Sequence, residues 1–195
     1  MGPQKPRERP QVTLFQSISL NGLIGRPDGN GDFFTNVNWT AWIDLTLETG
    51  AMVWGRTSHD IFRRAAVPQL KGIHGYVLTS DRDYRTEEGW KVATSPQEAV
   101  ELAHRDGVER MLVVGGQTTN TAFAKAGLID RVVLDVESVL IGHGMPIFAP
   151  AHVDLQLDLK DVKRLTPTVI QLHYDVVGIR GAAHAHGARA PRATR

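Results

Sequence analysis

Apolar and polar positions along the chain follow two alternating periods, and each segment predicts its own element. Val12 to Leu20 is apolar and β-branched and stops at the turn dipeptide Asn21-Gly22, which reads as a strand. From Asn36 to Thr49 the residues Val37, Trp39, Trp42, Ile43 and Leu47 recur at helical spacing. Ala51 to Trp54 is a short buried strand ending at Gly55, and Thr57 or Ser58 is placed to cap a helix running to about Arg64. Gly75 to Thr79 and Lys91 to Ala93 predict two further strands. Ser95-Pro96 places a cap and a first-turn proline before a helix over Gln97 to Arg105. Met111 to Val114 is an apolar strand running into Gly115-Gly116, followed by a helix from about Thr119 to Lys125 that Gly127 closes. Val132 to Leu140 is a strand. Leu155 to Leu165 and Thr168 to Val177 form a hairpin turning near Pro167, and in its second arm Ile170, Leu172, Tyr174 and Val176 alternate with Gln171, His173 and Asp175. Strands separated by helices, then an antiparallel end, predict an α/β fold with a mostly parallel sheet of about eight strands and about four helices.

Composition narrows the class. At 195 residues with 42% hydrophobic and 22% charged residues, the chain suits one globular domain with its own core. It has no cysteine, which removes disulfides, thiolate metal sites and cysteine nucleophiles. The net charge of +1 is unevenly spread. Lys5, Arg7 and Arg9 sit in a proline-rich head, residues 1–11, read as a flexible arm. Arg180, Arg189, Arg192 and Arg195 sit in a low-complexity tail, residues 178–195, read as disordered and basic. The body, 12–177, is therefore acidic, the reverse of what a nucleic-acid partner calls for. His184 and His186 in the tail read as solvated residues rather than metal ligands, and no metal is expected elsewhere. No apolar run is long enough for a membrane span and no leader is apparent, so the expected setting is the cytoplasm.

Two strand-to-glycine-to-helix junctions carry the candidate chemistry: Gly55-Arg56-Thr57-Ser58, and Val114-Gly115-Gly116-Gln117-Thr118-Thr119. Beyond the carboxyl ends of parallel strands, helix N-termini point unpaired N–H groups outward and glycine lets an anion approach the backbone. Taken singly, each junction reads first as a turn with a helix cap. Together they suit two phosphate groups of a dinucleotide, with Arg56 as a phosphate clamp. Thr79, Ser80 and Arg82, after another strand, would suit a ribose 2′-phosphate, although an ordinary polar turn has the same composition. No G-x-G-x-x-G follows the first strand, and no Gly-x-Ser-x-Gly elbow occurs.

In order and spacing these pieces resemble the dihydrofolate reductase-like superfamily, especially the branch of the C-terminal reductase domain of the bacterial riboflavin-pathway enzyme. The resemblance begins at Ser19-Leu20-Asn21-Gly22-Leu23-Ile24-Gly25 and continues through Gly55-Arg56-x-Ser58, Leu78-Thr79-Ser80 and Val113-Val114-Gly115-Gly116. Its most specific part is Gly127-Leu128-Ile129-Asp130 followed by Gly142-His143-Gly144-Met145-Pro146-Ile147-Phe148. It implies a three-layer dihydrofolate reductase-like fold and a reductase that takes hydride from NADPH. By position, Gly55, Arg56, Thr57 and Ser58 would meet the adenosine-side phosphates, and Thr79, Ser80 and Arg82 the 2′-phosphate. Gly115 to Thr119, following Val114, would wrap the pyrophosphate, with a cis Gly115–Gly116 peptide. Ser17 and Ile24 would lie beside the nicotinamide. Relatives in the branch pair through sheet edges, which implies a homodimer.

The departures shape the substrate expectation. In dihydrofolate reductases an acid on the first helix precedes a tryptophan by three residues and grips the pterin; counted from Gly55-Arg56 that tryptophan is Trp42 and the acid's place is Trp39. The riboflavin-pathway branch has an acid where Asn21 stands, and a proline and a glutamate where Ser138 and Arg131 stand. The expected substrate is a small planar heterocyclic or aromatic molecule with a C=N or conjugated C=C bond. Phe33, Trp39 and Trp42 would line the pocket and Asp32 would be the nearest acid. Three alternatives stay open: reduction of the phosphoribosylaminouracil intermediate, reduction of dihydrofolate, and a nucleotide-binding module without turnover.

Overall fold

The structure, a computed structural model, describes residues 8–65 and 67–181. The first strand, β1 (Gln11–Ser19), is followed by the two-rung β2 (Leu23–Gly25), helix α1 (Asn36–Thr49), β3 (Ala51–Gly55) and α2 (Arg56–Ala65). A single 3₁₀ turn, Pro68–Leu70, leads to β4 (His74–Leu78), β5 (Trp90–Ala93), α3 (Pro96–Arg105), β6 (Arg110–Val113) and α4 (Gln117–Lys125). The chain closes with β7 (Arg131–Glu137), β8 (Met145–Pro146), β9 (Val153–Arg164) and β10 (Val169–Gly181). Eight strands form one sheet in the order β5-β4-β3-β6-β1-β7-β10-β9. The pairs from β5 to β7 are parallel, and β10 is antiparallel to both β7 and β9. This is a dihydrofolate reductase-like α/β fold.

Alternation along the strands sorts the core into two layers. Val12, Leu14, Ala51, Val53, Met111 and Val113 face one side, where Ala99, Val100 and Ala103 of α3 and Phe123 and Ala124 of α4 pack on them. Phe15, Met52, Trp54, Val77 and Leu112 face the other, beneath Trp42 and Ile43 of α1 and Phe62 of α2. A central parallel strand is apolar on both faces because helices cover both. The predicted cap of α3 is present, with Ser95 Oγ accepting from the Glu98 amide at 3.1 Å.

Several boundaries move. α2 starts at Arg56, so Thr57 and Ser58 lie inside its first turn rather than capping it; the chain turns at Gly55, whose amide donates to the Gly115 carbonyl at 2.9 Å. α4 likewise starts at Gln117, two residues before the expected Thr119. The tail boundary at 177 is too early, because β10 pairs with β9 as far as Gly181 opposite Val153. The head is docked from Arg9 onward: its guanidinium bridges both Asp130 carboxylate oxygens at 2.8 Å, and Gln11 opens β1. Residues 1–7 and 182–195, with His184 and His186, lie outside the described residues. The two-stranded pairing of β2 with β8 was not expected from the sequence. Among the described residues no helix is long and apolar enough to cross a membrane.

Candidate functional site

The two glycine junctions meet. They end adjacent strands, β3 and β6, so α2 and α4 begin side by side at the carboxyl edge of the sheet. A Cβ on Gly55 would lie 2.6 Å from Thr119 Oγ1, a distance that only glycine avoids. Gly115 has φ of +100°, open to glycine at little cost, and the Gly115–Gly116 peptide is cis, as the resemblance implies. The first N–H groups of each helix have no partner within the helix and point to the same edge. Both helix dipoles add positive potential there.

The named residues fall into distinct places. Arg56 and Thr57 are exposed and Ser58 is half-buried at the head of α2; Gln117 is half-buried and Thr118 exposed at the head of α4. Thr119 is buried against Gly55 and spaces the two junctions rather than offering its hydroxyl outward. Val114 leads into the turn, its amide bound to the Val53 carbonyl at 3.0 Å. Arg56 Nη1 lies 3.2 Å from Asp81 and its Nε 3.8 Å from Asp60, with the guanidinium 5.1 Å over the Tyr84 ring. Burial and the neighbouring Asp60 push the Tyr84 phenol up to about 12, so it remains a donor to Asp60 at 2.6 Å. Asp81 follows Thr79 and Ser80 directly and its amide donates to Thr79 Oγ1. Arg82 does not join this group: it turns to Thr94 Oγ1 at 3.2 Å and toward the Glu98 carboxylate of α3 at 3.9 Å.

The expected substrate-side residues are less coherent. Asp32 is exposed and ion-paired with Arg26 at 2.9 Å, so it is committed within its own loop. Phe33 packs on Phe34 at 4.3 Å with Arg26 over its ring. Among the described residues no hydrogen bond or ring contact joins either to the diglycine turn. Trp42 is only 7% exposed and belongs to the core between Trp54 and Phe62, which corrects its placement in the pocket wall. Trp39, edge-on to Trp42 at 4.9 Å, keeps an exposed face. Ser17 and Ile24 are half-buried on β1 and β2.

Sequence reasoning missed four side chains. Gln16 is 7% exposed, its Nε2 has no hydrogen-bond partner, and it sits 3.0 Å from where a Gly115 Cβ would be. Asp135, Glu137 and Gln171 are buried beneath the start of α1. Gln171 Nε2 donates to Asp135 at 2.8 Å, and Glu137 Oε1 accepts from the Thr35 amide at 2.9 Å and hydroxyl at 2.7 Å. The signal for the two acids was their period-two spacing in the run Val132 to Leu140, whose only other polar residue is Ser138.

A cavity of about 1290 Å³ lies elsewhere. Arg9, Gln11, Arg110, Gly127, Asp130 and Ile179 are among its lining residues, at the amino-terminal edge of the parallel strands. Its arginines are already paired, Arg9 with Asp130 and Arg110 with Glu48. No group of three or more potential metal-ligating residues gathers among the described residues.

A mostly parallel sheet sandwiched by helices, with paired helix N-termini at its carboxyl edge, defines the dihydrofolate reductase-like class. Within that class the chain belongs to the RibD C-terminal domain family, which it matches over residues 10–171. It is 24% identical over 169 residues to the uncharacterised protein YwjB of Bacillus subtilis, covering 84% of this chain and 97% of that one. The crystal structure of a putative riboflavin biosynthesis protein from Shewanella sp. PV-4 superposes with a TM-score of 0.70 at 18% identity, covering 85% of this chain and 98% of that chain. Acinetobacter baumannii RibD superposes with a TM-score of 0.71 at 18% identity, covering 87% of this chain; the match spans 58% of that longer protein.

Proposed function

We propose that this chain is an NADPH-dependent reductase acting on a small planar substrate with a C=N or conjugated C=C bond. The observation that carries the reading is the convergence of the α2 and α4 N-termini on one glycine-lined edge. The residues present fit a dinucleotide. Gln16 Nε2 and Gln117 Oε1 are buried without partners beside the diglycine turn, and glycine at 55 and 115 lets Thr119 and Gln16 pack against the two junctions. The free amides of Gln117 to Thr119 would hold the pyrophosphate, and those at the head of α2 an adenosine-side phosphate. Arg56, Thr79 and Ser80 would meet the 2′-phosphate, and Ser17 and Ile24 would flank the nicotinamide. The cofactor supplies the hydride; the protein supplies position and a water-poor setting. Trp39 offers a flat face for a planar substrate. Stopped-flow oxidation of NADPH against a panel of heterocycles tests the reading, and absence of any oxidation across the panel contradicts it.

The family match favours a second reading, reduction of the phosphoribosylaminouracil intermediate. Asn21 and Arg131 at positions the branch fills with acids weigh against it. Complementation of a riboflavin-requiring strain decides between them. We also propose a cytoplasmic homodimer joined at β9, an edge strand with Leu157, Leu159 and Val162 exposed; an uncovered apolar edge is an association surface. Sedimentation showing only monomer at micromolar concentration would reject the dimer.

A further inference from the structure

Strand β7 lies inside the sheet between β1 and β10, with the start of α1 reaching it at Thr35 and Asn38, and a strand buried there is expected to be apolar. It instead carries Asp135, 0% exposed, and Glu137, 3% exposed, the only buried carboxylates among the described residues. Neither is in an ion pair with a described residue. Glu137 is explained by its two short bonds from Thr35, which hold the start of α1. Asp135 is held more weakly, by the neutral amides of Gln171 at 2.8 Å and Asn38 at 3.4 Å. A buried carboxylate without a cation costs stability unless something else requires it.

Register ties Asp135 to the proposed cofactor site. Ser17 on β1 and Gln171 on β10 are its partners on the two neighbouring strands. Paired residues of adjacent strands point to one face about 4.8 Å apart. Ser17 is half-buried, and its hydroxyl has no hydrogen-bond partner among the described residues. The preceding Gln16 meets Gly115 on the opposite face of β1, whereas Ser17, Asp135 and Gln171 line one face of the three neighbouring strands β1, β7 and β10 toward the edge where α2 and α4 begin.

We propose that Asp135 is the proton-holding group of this site and acts on the substrate through the Ser17 hydroxyl. The inference rests on the reductase reading above. For a C=N substrate, the hydride and its electron pair from a dihydronicotinamide form the new C–H bond while the π pair moves to nitrogen. Nitrogen takes the Ser17 proton, Ser17 takes the Asp135 proton, and water restores the carboxyl. The substrate gains two electrons and the cofactor loses two. Asp135 is therefore a positioning residue. The groups facing it are Asn38 from α1, Ser17 from β1, Glu137 on its own strand, and Gln171 from β10 with His173 behind it at 2.7 Å. Burial raises the proton affinity of Asp135, the Gln171 and Asn38 amides oppose that, and Glu137 adds to it. Burial also lowers the affinity of His173, with Lys163 and Arg131 lowering it further and Asp161 and Glu48 opposing them.

Carbon-13 NMR of the sequence-assigned Asp135 carboxyl, in the full chain saturated with NADPH or with NADP⁺, tests this without a substrate. The oxidised ring is positive and the reduced ring neutral. A carboxyl about 10 Å from that charge at an effective dielectric of about 20 should titrate about one pH unit lower with NADP⁺. A purely structural carboxylate away from the ring would not respond to its charge. Glu137→Gln should preserve the difference, since Glu137 serves the helix start. Equal midpoints with both cofactors, or an Asp135 ionised throughout the titration, would overturn the proposal. Loss of the cofactor reading is distinguishable, because the Gly55 and Gly115 amides would then not shift with either nucleotide; that result overturns both.

Discussion

Replacing Arg56 with alanine should weaken NADPH while sparing NADH and the fold. In the free protein the guanidinium is half-exposed, 3.2 Å from Asp81 and 3.8 Å from Asp60, and stacked over Tyr84. Exposed pairs of this kind contribute about 0.2–1 kcal/mol each, so the fold loses little. A charge-assisted bond to a phosphate is worth about 1.5–3 kcal/mol, from which the surrendered carboxylate contacts must be subtracted. The net loss is then about 1–2 kcal/mol, roughly 5- to 30-fold in Kd. Fluorescence titration of parent and Arg56→Ala with both nucleotides reads it directly, with NADH as the internal control because it lacks the 2′-phosphate. An unchanged NADPH Kd, or an equal loss for both nucleotides, would refute the assignment of Arg56 to that phosphate.

The carboxylate beside Arg56 gives the converse test: Asp81→Asn should free the guanidinium and tighten NADPH by about 2- to 5-fold, with NADH little changed by the same titration. Glu137→Gln should replace charge-assisted bonds to Thr35 with neutral ones, costing about 1 kcal/mol and lowering Tm by about 2–4 °C in calorimetry. The Asp106 carboxyl is held below its ordinary value by the Lys91 ammonium and by the Tyr76 hydroxyl donating at 2.8 Å. Its stabilisation is therefore present above the unfolded value of about 3.9 and is lost as pH falls through the lower folded value. Urea unfolding of parent and Asp106→Asn should show the variant less stable at neutral pH, with the gap closing in acid.

Much of the fold was legible because punctuation agreed with period. Ser95-Pro96 marks the start of α3, and Gly127, at φ +67°, follows the end of α4. The two most specific sequence pieces also have structural reasons. Asp130 receives the Arg9 fork and the Val12 amide at 2.8 Å, tying the head of the chain to β1. Ser19-Gly25 and Gly142-Phe148 meet through β2 and β8, and Asn120 donates to the Ile147 carbonyl at 2.9 Å. Asn21, standing where the branch has an acid, both donates to and accepts from the Ile141 backbone, which a carboxylate could not do.

What the sequence concealed depended on contacts distant along the chain. Trp39 and Trp42 share one helix face and touch, yet only Trp42 is closed in by Trp54 and Phe62, which lie elsewhere in the chain. Gln16 reads as an ordinary polar residue in a strand until β6 brings Gly115 against it. Asp135 was the most readable of the missed residues, because a charge in a strand buried inside the sheet needs a reason.

The account stands on where the nucleotide binds. Amide chemical-shift mapping of the full chain during an NADPH titration tests that most directly. The account predicts saturable shifts concentrated at Gly55 to Ser58, Gln16-Ser17 and Gly115 to Thr119. Shifts gathered instead around Arg9, Gly127 and Ile179 in the large cavity at the opposite edge, or no shifts at millimolar NADPH, would contradict it.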